Sequence, residues 1–397
     1  CKGYFVCRIE ELVRVEKNAD EEFAENRSEK EMPYAVDFST RGIDLDSFPF
    51  NTWRRLSRNT LVDDNKEMFA VGDPQGEYEL RAAIRDYLHS ARGVSCRPEQ
   101  ILVGAGSEYL LMLLSQLLGR ETGIALENPT YRQAYRVLKS LGHLVVPVKM
   151  DRYGMDVLDL EQSKTQAAYV MPSHQYPTGI VMPVKRRQEL LSWASEKEER
   201  YIIEDDYDCE FRYRSRSIPA LGSMDPCESV IYMNTFSKTL TPAIRISYMV
   251  LPEKLMRRYI DTANFYCNTA STCEQYALAR FIENGYFERH LSRLKKFYHA
   301  EGERLKRILK QSVLLPAVGV DGGESGTHLL VKVDTSMTDE EIEEAAANVG
   351  IHISCLSRFC SEKTPEYDHI LVLNYSDMDE SRLTEAVRRL GNIFIQW

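Results

Sequence analysis

The chain has 397 residues, 43% of them hydrophobic and 28% charged, enough to bury a large core and a second, smaller one. Its formal charge of −10, from 50 basic against 60 acidic residues, argues against broad nucleic-acid binding by this chain alone, because phosphate backbones reward clustered Lys and Arg. No run approaches the roughly 18 apolar residues of a membrane helix, and the opening CKGYFVCRIEELVRVEK lacks the apolar stretch of a secretory signal, so no membrane partner is expected.

Residues 8–35 are dominated by charge, with few apolar anchors, and read as a linker. An ordered pattern begins at YAVDFSTRGID. From Pro98 to Leu251, strand candidates at Ile101–Gly104, Gly123–Glu127, His143–Val148, Ala167–Met171, Tyr201–Asp205, Ser229–Met233 and Ile244–Leu251 alternate with helical patterns. The clearest helical stretches are Glu108–Leu118, Arg132–Leu141 and Lys185–Glu199. That alternation predicts an α/β fold with a mostly parallel sheet, whose ligands sit beyond the carboxyl ends of the strands. After Pro252, long helical patterns run to about Lys310. Then LLVKV, GIHISC and HILVLNY alternate with helices over Asp339–Val349 and Asp379–Leu390, which predicts a smaller α+β domain. The division expected is a remnant and linker over 1–35, a large domain with an N-terminal arm over 36–265, and a connecting helix plus small domain over 266–397. The basic clusters Lys185-Arg186-Arg187 and Arg293 with Lys295-Lys296 read as solvated helix faces. The nine cysteines form no Cys-x-x-Cys pair and no zinc-spaced array, so they read as reduced thiols of a cytoplasmic protein, and no metal site is expected.

Five loops in the α/β region carry residues with chemical potential. In VIYMNTFSKTLTPAIRISYMV, Lys238 sits in a hydroxyl-rich turn where desolvation would make its amine nucleophilic; a surface lysine is the plain alternative. Thr235, Ser237 and Arg245 could gather around a phosphate. In YIIEDDYDCEF, Glu204, Asp205 and Asp206 are adjacent carboxylates at a strand end, followed by Tyr207; they need a cationic partner, such as a pyridinium nitrogen, or else form a solvated acidic turn. In ILVGAGSEYLLMLL, Gly106 precedes Ser107 and Glu108, whose amides would open a helix and favour a phosphate, although a tight turn explains the glycines equally well. Tyr131 in ENPTYRQAY could stack on a flat ligand or pack in the core. In MPSHQYPTG, His174, Gln175 and Tyr176 are expected to be exposed to the same crevice, although a lone histidine is more often a structural hydrogen-bonder.

Taken together, VGDPQGEYELRAAIRDYL, GAGSEYL, ENPTY, PSHQYPTG, IIEDDYDCEFRY, YMNTFSKTLTPAIRISYMVLP and, more weakly, GTHLL and CLSRF resemble the fold-type I pyridoxal-phosphate proteins. Within them the chain resembles the MocR-type regulators, which join a GntR-like winged-helix DNA-binding domain to an aminotransferase-like domain. The resemblance spans about residue 36 to the C-terminus; PSHQYPTG and EDDYDCEFRY are close to diagnostic, whereas the Ser-Lys turn marks only the superfamily. It implies pyridoxal 5'-phosphate as cofactor, with Lys238 as the Schiff-base lysine, Asp205 on the pyridine nitrogen, Tyr207 on the phenolic oxygen and Tyr131 stacked on the ring. The phosphate would fall to Gly106, Ser107, Glu108, Thr235, Ser237 and Arg245, with His174 and Tyr176 lining the same site.

Several positions depart from the aminotransferase pattern. The small-domain arginine that grips a substrate carboxylate is missing from ILVLNYSDMDE, with Ser376 about where it would stand. Tyr176 replaces the asparagine that bonds the phenolic oxygen, and Val71 replaces a tyrosine that reaches the partner subunit's phosphate. CKGYFV resembles the end of a winged-helix wing, with an ordinary first strand as the alternative. The resemblance therefore implies a homodimeric effector domain that senses pyridoxal phosphate or a small amino compound and reaches DNA only through a domain missing from this chain. The alternative is a free-standing aminotransferase of small amino acids.

Overall fold

The computed structural model describes residues 34–38, 43–61, 66, 68–213, 218–312, 315–375 and 380–395. The wing-like start, most of the expected linker and Ser376 lie outside the described residues.

An eight-stranded sheet runs in the order Ile101–Gly104, Ser247–Val250, Val230–Thr235, Tyr201–Asp205, Ala167–Val170, Ile124–Asn128, Val145–Asp151 and Gly154–Met155. Its central pairings are parallel, and Ser247–Val250 and Gly154–Met155 join antiparallel. The central strands IALEN, AAYV and YIIED are buried at every residue. A strand covered on both faces reads as a near-continuous apolar run rather than alternation, and these have it up to Glu127-Asn128 and Glu204-Asp205 at the carboxyl ends of two of them. On one face lies the helix Ser107–Leu118, whose Leu110, Leu111, Leu114 and Leu117 pack with Leu126, Ile203, Met233 and Met249. On the other, the helix Val184–Ser195 sets Leu190, Trp193 and Ala194 against Ala125, Ala168 and Ile202.

A second sheet of four antiparallel strands runs in the order Ala317–Gly322, His328–Val333, Ile370–Asn374, Ser354–Cys355. The helices Asp339–Asn348 and Glu380–Ile393 supply Ile342, Ala346, Leu383 and Leu390 to its core, and Val36 and Phe38 join them. The helix Tyr286–Gln311 links the two sheets. Its Phe287 and Leu291 pack with Leu80, Ile84 and Phe281, whereas Leu294, Tyr298, Leu305 and Leu309 pack with Val331 and Leu373. At 1.5 Å per residue its 26 residues span about 39 Å, long enough to serve both cores.

Several expected bounds shift: the strand expected over His143–Val148 spans Val145–Asp151, the helix expected to Glu199 ends at Ser195, and two further changes have a local cause. The strand expected from Ile244 begins at Ser247, because Pro242–Ile244 form a 3-10 turn and Arg245 takes a left-handed φ of 49°. The long helical run after Pro252 breaks into Glu253–Thr262, Thr272–Glu283 and Tyr286–Gln311, with Gly285 at φ 66° opening the last.

Candidate functional site

The parallel strands Tyr201–Asp205 and Val230–Thr235 are neighbours, in the register Asp205 to Met233. Their carboxyl ends therefore bring Asp205 and the turn after Thr235 to one edge of the sheet. Lys238 lies in that turn, half-buried. Burial lowers its pKa, opposed by the nearby Asp208 carboxylate, so its free amine becomes available at a lower pH than an exposed lysine's.

The three adjacent carboxylates divide by strand alternation. Glu204 accepts backbone hydrogen bonds from Leu221 (2.7 Å) and Gly222 (2.9 Å), tying down the loop behind the strand. Asp206, on the same side, receives Arg92 Nε at 2.8 Å and Tyr232 Oη at 2.7 Å. Burial would raise Asp206, yet the Arg92 guanidinium overrides it and holds the carboxyl below its ordinary range. Asp205 points the other way, where Tyr169 Oη donates a short hydrogen bond to it. Burial pushes the Asp205 carboxyl up to about 7 despite that bond, and Asp206 and Asp208 add to the rise. Two of the three acids are thus held by structural partners, and Asp205 faces the site as an acid whose charge needs a cation.

Gly106 caps the helix that starts at Ser107, with φ 96°. The amides of Ser107 and Glu108 have no acceptor within the helix, so they form a donor pair at its positive end. Arg245 closes over this cup: its Nη2 bonds Ala105 O at 3.1 Å and Glu108 Oε2 at 3.2 Å. A Cβ on Gly106 would stand 2.3 Å from Arg245 Nη2, so only glycine admits the guanidinium there. Thr235 Oγ1 accepts from Ser237 N (3.1 Å) and Ser247 Oγ (2.8 Å), which directs its own proton elsewhere.

The expectation that His174, Gln175 and Tyr176 are exposed to the crevice is corrected: they are 4%, 1% and 5% exposed. The loop before His328 covers them. Gly326, at φ 67°, approaches so closely that a Cβ there would lie 2.1 Å from His174 Cε1. His174 Nδ1 is 2.7 Å from Asp208 Oδ2 and 3.3 Å from Tyr207 Oη. Burial, and then Asp208, raise the Tyr207 pKa, so its hydroxyl keeps its proton. Tyr176 packs edge-on against Tyr131 (6.1 Å), Tyr207 (6.2 Å), His328 (5.5 Å) and Phe359 (5.3 Å). Tyr131 itself remains 37% exposed just ahead of its helix, placed to offer a ring face.

The structure thus gathers Asp205, Tyr207, Lys238, His174 and Tyr176 into one cluster and Gly106, Ser107, Glu108 and Arg245 into the cup. It adds residues that sequence reading missed. His328, from the smaller sheet, bonds Pro177 O at 2.9 Å through Nε2; burial and then His174 hold its pKa at about 3, so it is neutral. Its GTHLL segment was part of the resemblance, but nothing in the pattern aims a small-sheet histidine at Lys238. Asp208 was in plain view within EDDYD and His174 within MPSHQYPTG, but nothing in the sequence pairs the two. Arg358, in CLSRF, is engaged by Glu343 Oε2 at 2.7 Å. Val71 is 83% exposed. Among the described residues no group of His, Cys, Asp or Glu is arranged to hold a metal ion, and no helix is long and apolar enough to cross a membrane.

Residues 43–390 match the family model described as aminotransferase class I and II. The chain is 35% identical over 359 residues to the HTH-type transcriptional regulator YdeL of Bacillus subtilis (strain 168), covering 89% of this chain and 76% of that protein. It is 33% identical over 371 residues to the probable rhizopine catabolism regulatory protein MocR of Rhizobium meliloti, covering 92% and 74%. In fold it is similar to a Pyrococcus horikoshii kynurenine aminotransferase, with a TM-score of 0.80, 23% identity and 91% of each chain covered. The chain belongs to the aminotransferase class I and II family, in its MocR-type group.

Proposed function

We propose that this chain is the pyridoxal-phosphate-binding effector and dimerisation part of a transcriptional regulator, and that an amino compound or the cofactor itself is the signal. The observation that carries this reading is the joint placement of Lys238 and Asp205 at adjacent strand ends, beside the cup closed by Arg245. The residues fit pyridoxal phosphate. Lys238, its pKa lowered by burial, would hold the aldehyde covalently. Asp205, an acid in need of a cation, would keep the ring nitrogen protonated. Tyr207 would donate to the phenolic oxygen, and Tyr131 would lie on the ring face. The Ser107 and Glu108 amides, the Thr235 and Ser237 hydroxyls and Arg245 would hold the phosphate. When bound, pyridoxal phosphate supplies a protonated ring that withdraws electrons from an amine-bearing carbon.

The regulator relatives at 33–36% identity support a signalling role over turnover. So does Arg358, whose guanidinium is already matched by Glu343 and is therefore not poised to grip a substrate carboxylate. A homodimer fits the apolar side chains Phe69, Val71 and Phe265, which are 69%, 83% and 74% exposed. Their segments run beside the cup: Asn268 bonds Pro74 O, and Thr269 accepts from Ala105 N. A partner covering them would place the sites near the subunit boundary.

The test adds pyridoxal phosphate to cofactor-free protein and follows visible absorbance for wild type, Lys238→Ala and Asp205→Asn. The reading expects a saturable band in the wild type, none in Lys238→Ala, and a weakened one in Asp205→Asn. A band that survives Lys238→Ala unchanged would refute it.

A further inference from the structure

A face far in sequence from the cofactor site carries a charge opposite to that of the whole chain. The helix Phe50–Thr60 exposes Arg54, Arg55 and Arg58 and contains no acidic residue. The first half of Tyr286–Gln311 exposes Arg289, Arg293 and Lys296, at spacings of four and three, so these three form one stripe on that helix. The two helices meet at Tyr286. Arg55 Nη2 donates to its hydroxyl at 2.6 Å, and the Arg55 and Arg289 guanidiniums lie 5.4 Å and 4.7 Å from its ring centre. One aromatic ring thus holds a guanidinium from each helix, and the Arg stripes become one surface. Acids beside it are Glu283, which pairs with Arg280 at 2.9 Å, Glu288, and the half-buried Glu274, which is hydrogen-bonded to Trp53 of the first helix. Among the described residues none of these six cations forms an ion pair with a carboxylate, whereas Arg280 and Arg304 on the neighbouring turns do.

We infer that this surface docks the phosphate backbone of duplex DNA, an inference that rests on the regulator reading above. The chain's net charge of −10 does not prevent it, since charges beyond about 8 Å are largely screened at physiological ionic strength and the local cluster decides. From Arg289 to Lys296 the stripe runs about 10 Å along the helix, and Arg54 to Arg58 adds about 6 Å beside it. That reach matches a few successive phosphates of one strand. Guanidiniums suit such contacts because they bind phosphate oxygens in pairs. No base edge is read, so binding is independent of sequence and serves to hold DNA against the regulator's body.

The experiment measures fluorescence anisotropy of a labelled 30-base-pair duplex of arbitrary sequence with the whole chain, from 50 to 200 mM salt. With four phosphate contacts the expected slope gives about a 150-fold loss of affinity across that range. The variant Arg58→Glu/Arg293→Glu/Lys296→Glu is expected to lose binding. Lys149→Glu/Lys185→Glu/Lys332→Glu, an equal change of charge on other exposed lysines, is expected to weaken it far less. Equal loss in both variants, no binding by the wild type at 50 mM, or binding to phosphatidylserine vesicles in place of DNA each overturns the inference. Pyridoxal phosphate absorbance is recorded on every sample. A normal cofactor band without DNA binding refutes the docking surface alone, and DNA binding without a cofactor band refutes the effector reading alone.

Discussion

Arg92→Met tests the polar seam beneath the candidate site. Arg92 is 2% exposed at the end of the helix Tyr78–Arg92. It donates to Asp206 Oδ2 at 2.8 Å, to Ser173 Oγ at 2.7 Å and to Ile218 O. It thereby joins the two loops that carry Asp205 and His174. Methionine keeps much of the volume but leaves the Asp206 carboxylate, 1% exposed, with only the neutral donors Tyr232, Ser173 and Cys209. Removing one partner of a buried ion pair costs about 3–5 kcal/mol, a large share of the roughly 5–15 kcal/mol that holds a domain folded. The pH dependence has a definite sign. In the wild type, Asp206 is held below its ordinary range, so its contribution is present above the unfolded carboxylate pKa and is lost in acid. In the variant, burial raises the same group, so the penalty grows as pH rises from about 4 to 7. Urea unfolding of the cofactor-free chain at pH 5 and pH 7.5 reads both effects, with a midpoint lowered by about 1 M or more at the higher pH. Adding Asp206→Asn to the variant is expected to restore part of the loss. A penalty below about 1 kcal/mol, or one independent of pH, would refute this account of the seam.

Gly326→Ala is expected to lower thermal stability and cofactor affinity together, because a Cβ there would strike His174 at 2.1 Å and the backbone is left-handed; Gly142→Ala, also left-handed but with nothing within 4 Å, is the control for backbone strain alone. Asp205, raised to about 7, stabilises the cofactor-free fold fully below about pH 4, and that contribution is gone above pH 7. Asp205→Asn is therefore expected to flatten the fall in melting temperature across that range, measured by scanning calorimetry. Stopped-flow absorbance with a panel of amino acids and 4-aminobutyrate is expected to show slow or no conversion of the cofactor, since misalignment of about 1 Å costs on the order of a hundredfold; rapid conversion restored by a keto acid would establish an aminotransferase. Light scattering at micromolar concentration is expected to give twice the chain mass of 45.8 kDa.

The strands that hold the site were legible because their signal is local. Ile101–Gly104 is a continuous apolar run, Tyr201–Asp205 an apolar run closed by two carboxylates, and both form as read. The helix Ser107–Leu118 was equally plain from its leucines after a glycine turn. What the sequence hid is contact at long range. Arg92 lies 114 residues from Asp206, and no periodicity links them. The burial of His174 depends on Gly326, in the loop between two strands of the smaller sheet, and so a residue that looked exposed in its own loop is covered. The strand Ala317–Gly322 was missed because half of it is polar or glycine and it forms a sheet edge. The passage of one helix from the large core to the small one, between Leu291 and Leu294, is equally invisible to an amphipathic pattern that is the same on both sides.

The most direct test of the central claim is borohydride reduction of the protein loaded with pyridoxal phosphate, followed by peptide mapping. The account predicts one phosphopyridoxyl-modified peptide, carrying the group on Lys238, from the sequence VIYMNTFSKTLTPAIR. Modification of another lysine with Lys238 left free, or no stable modification at all, would contradict it.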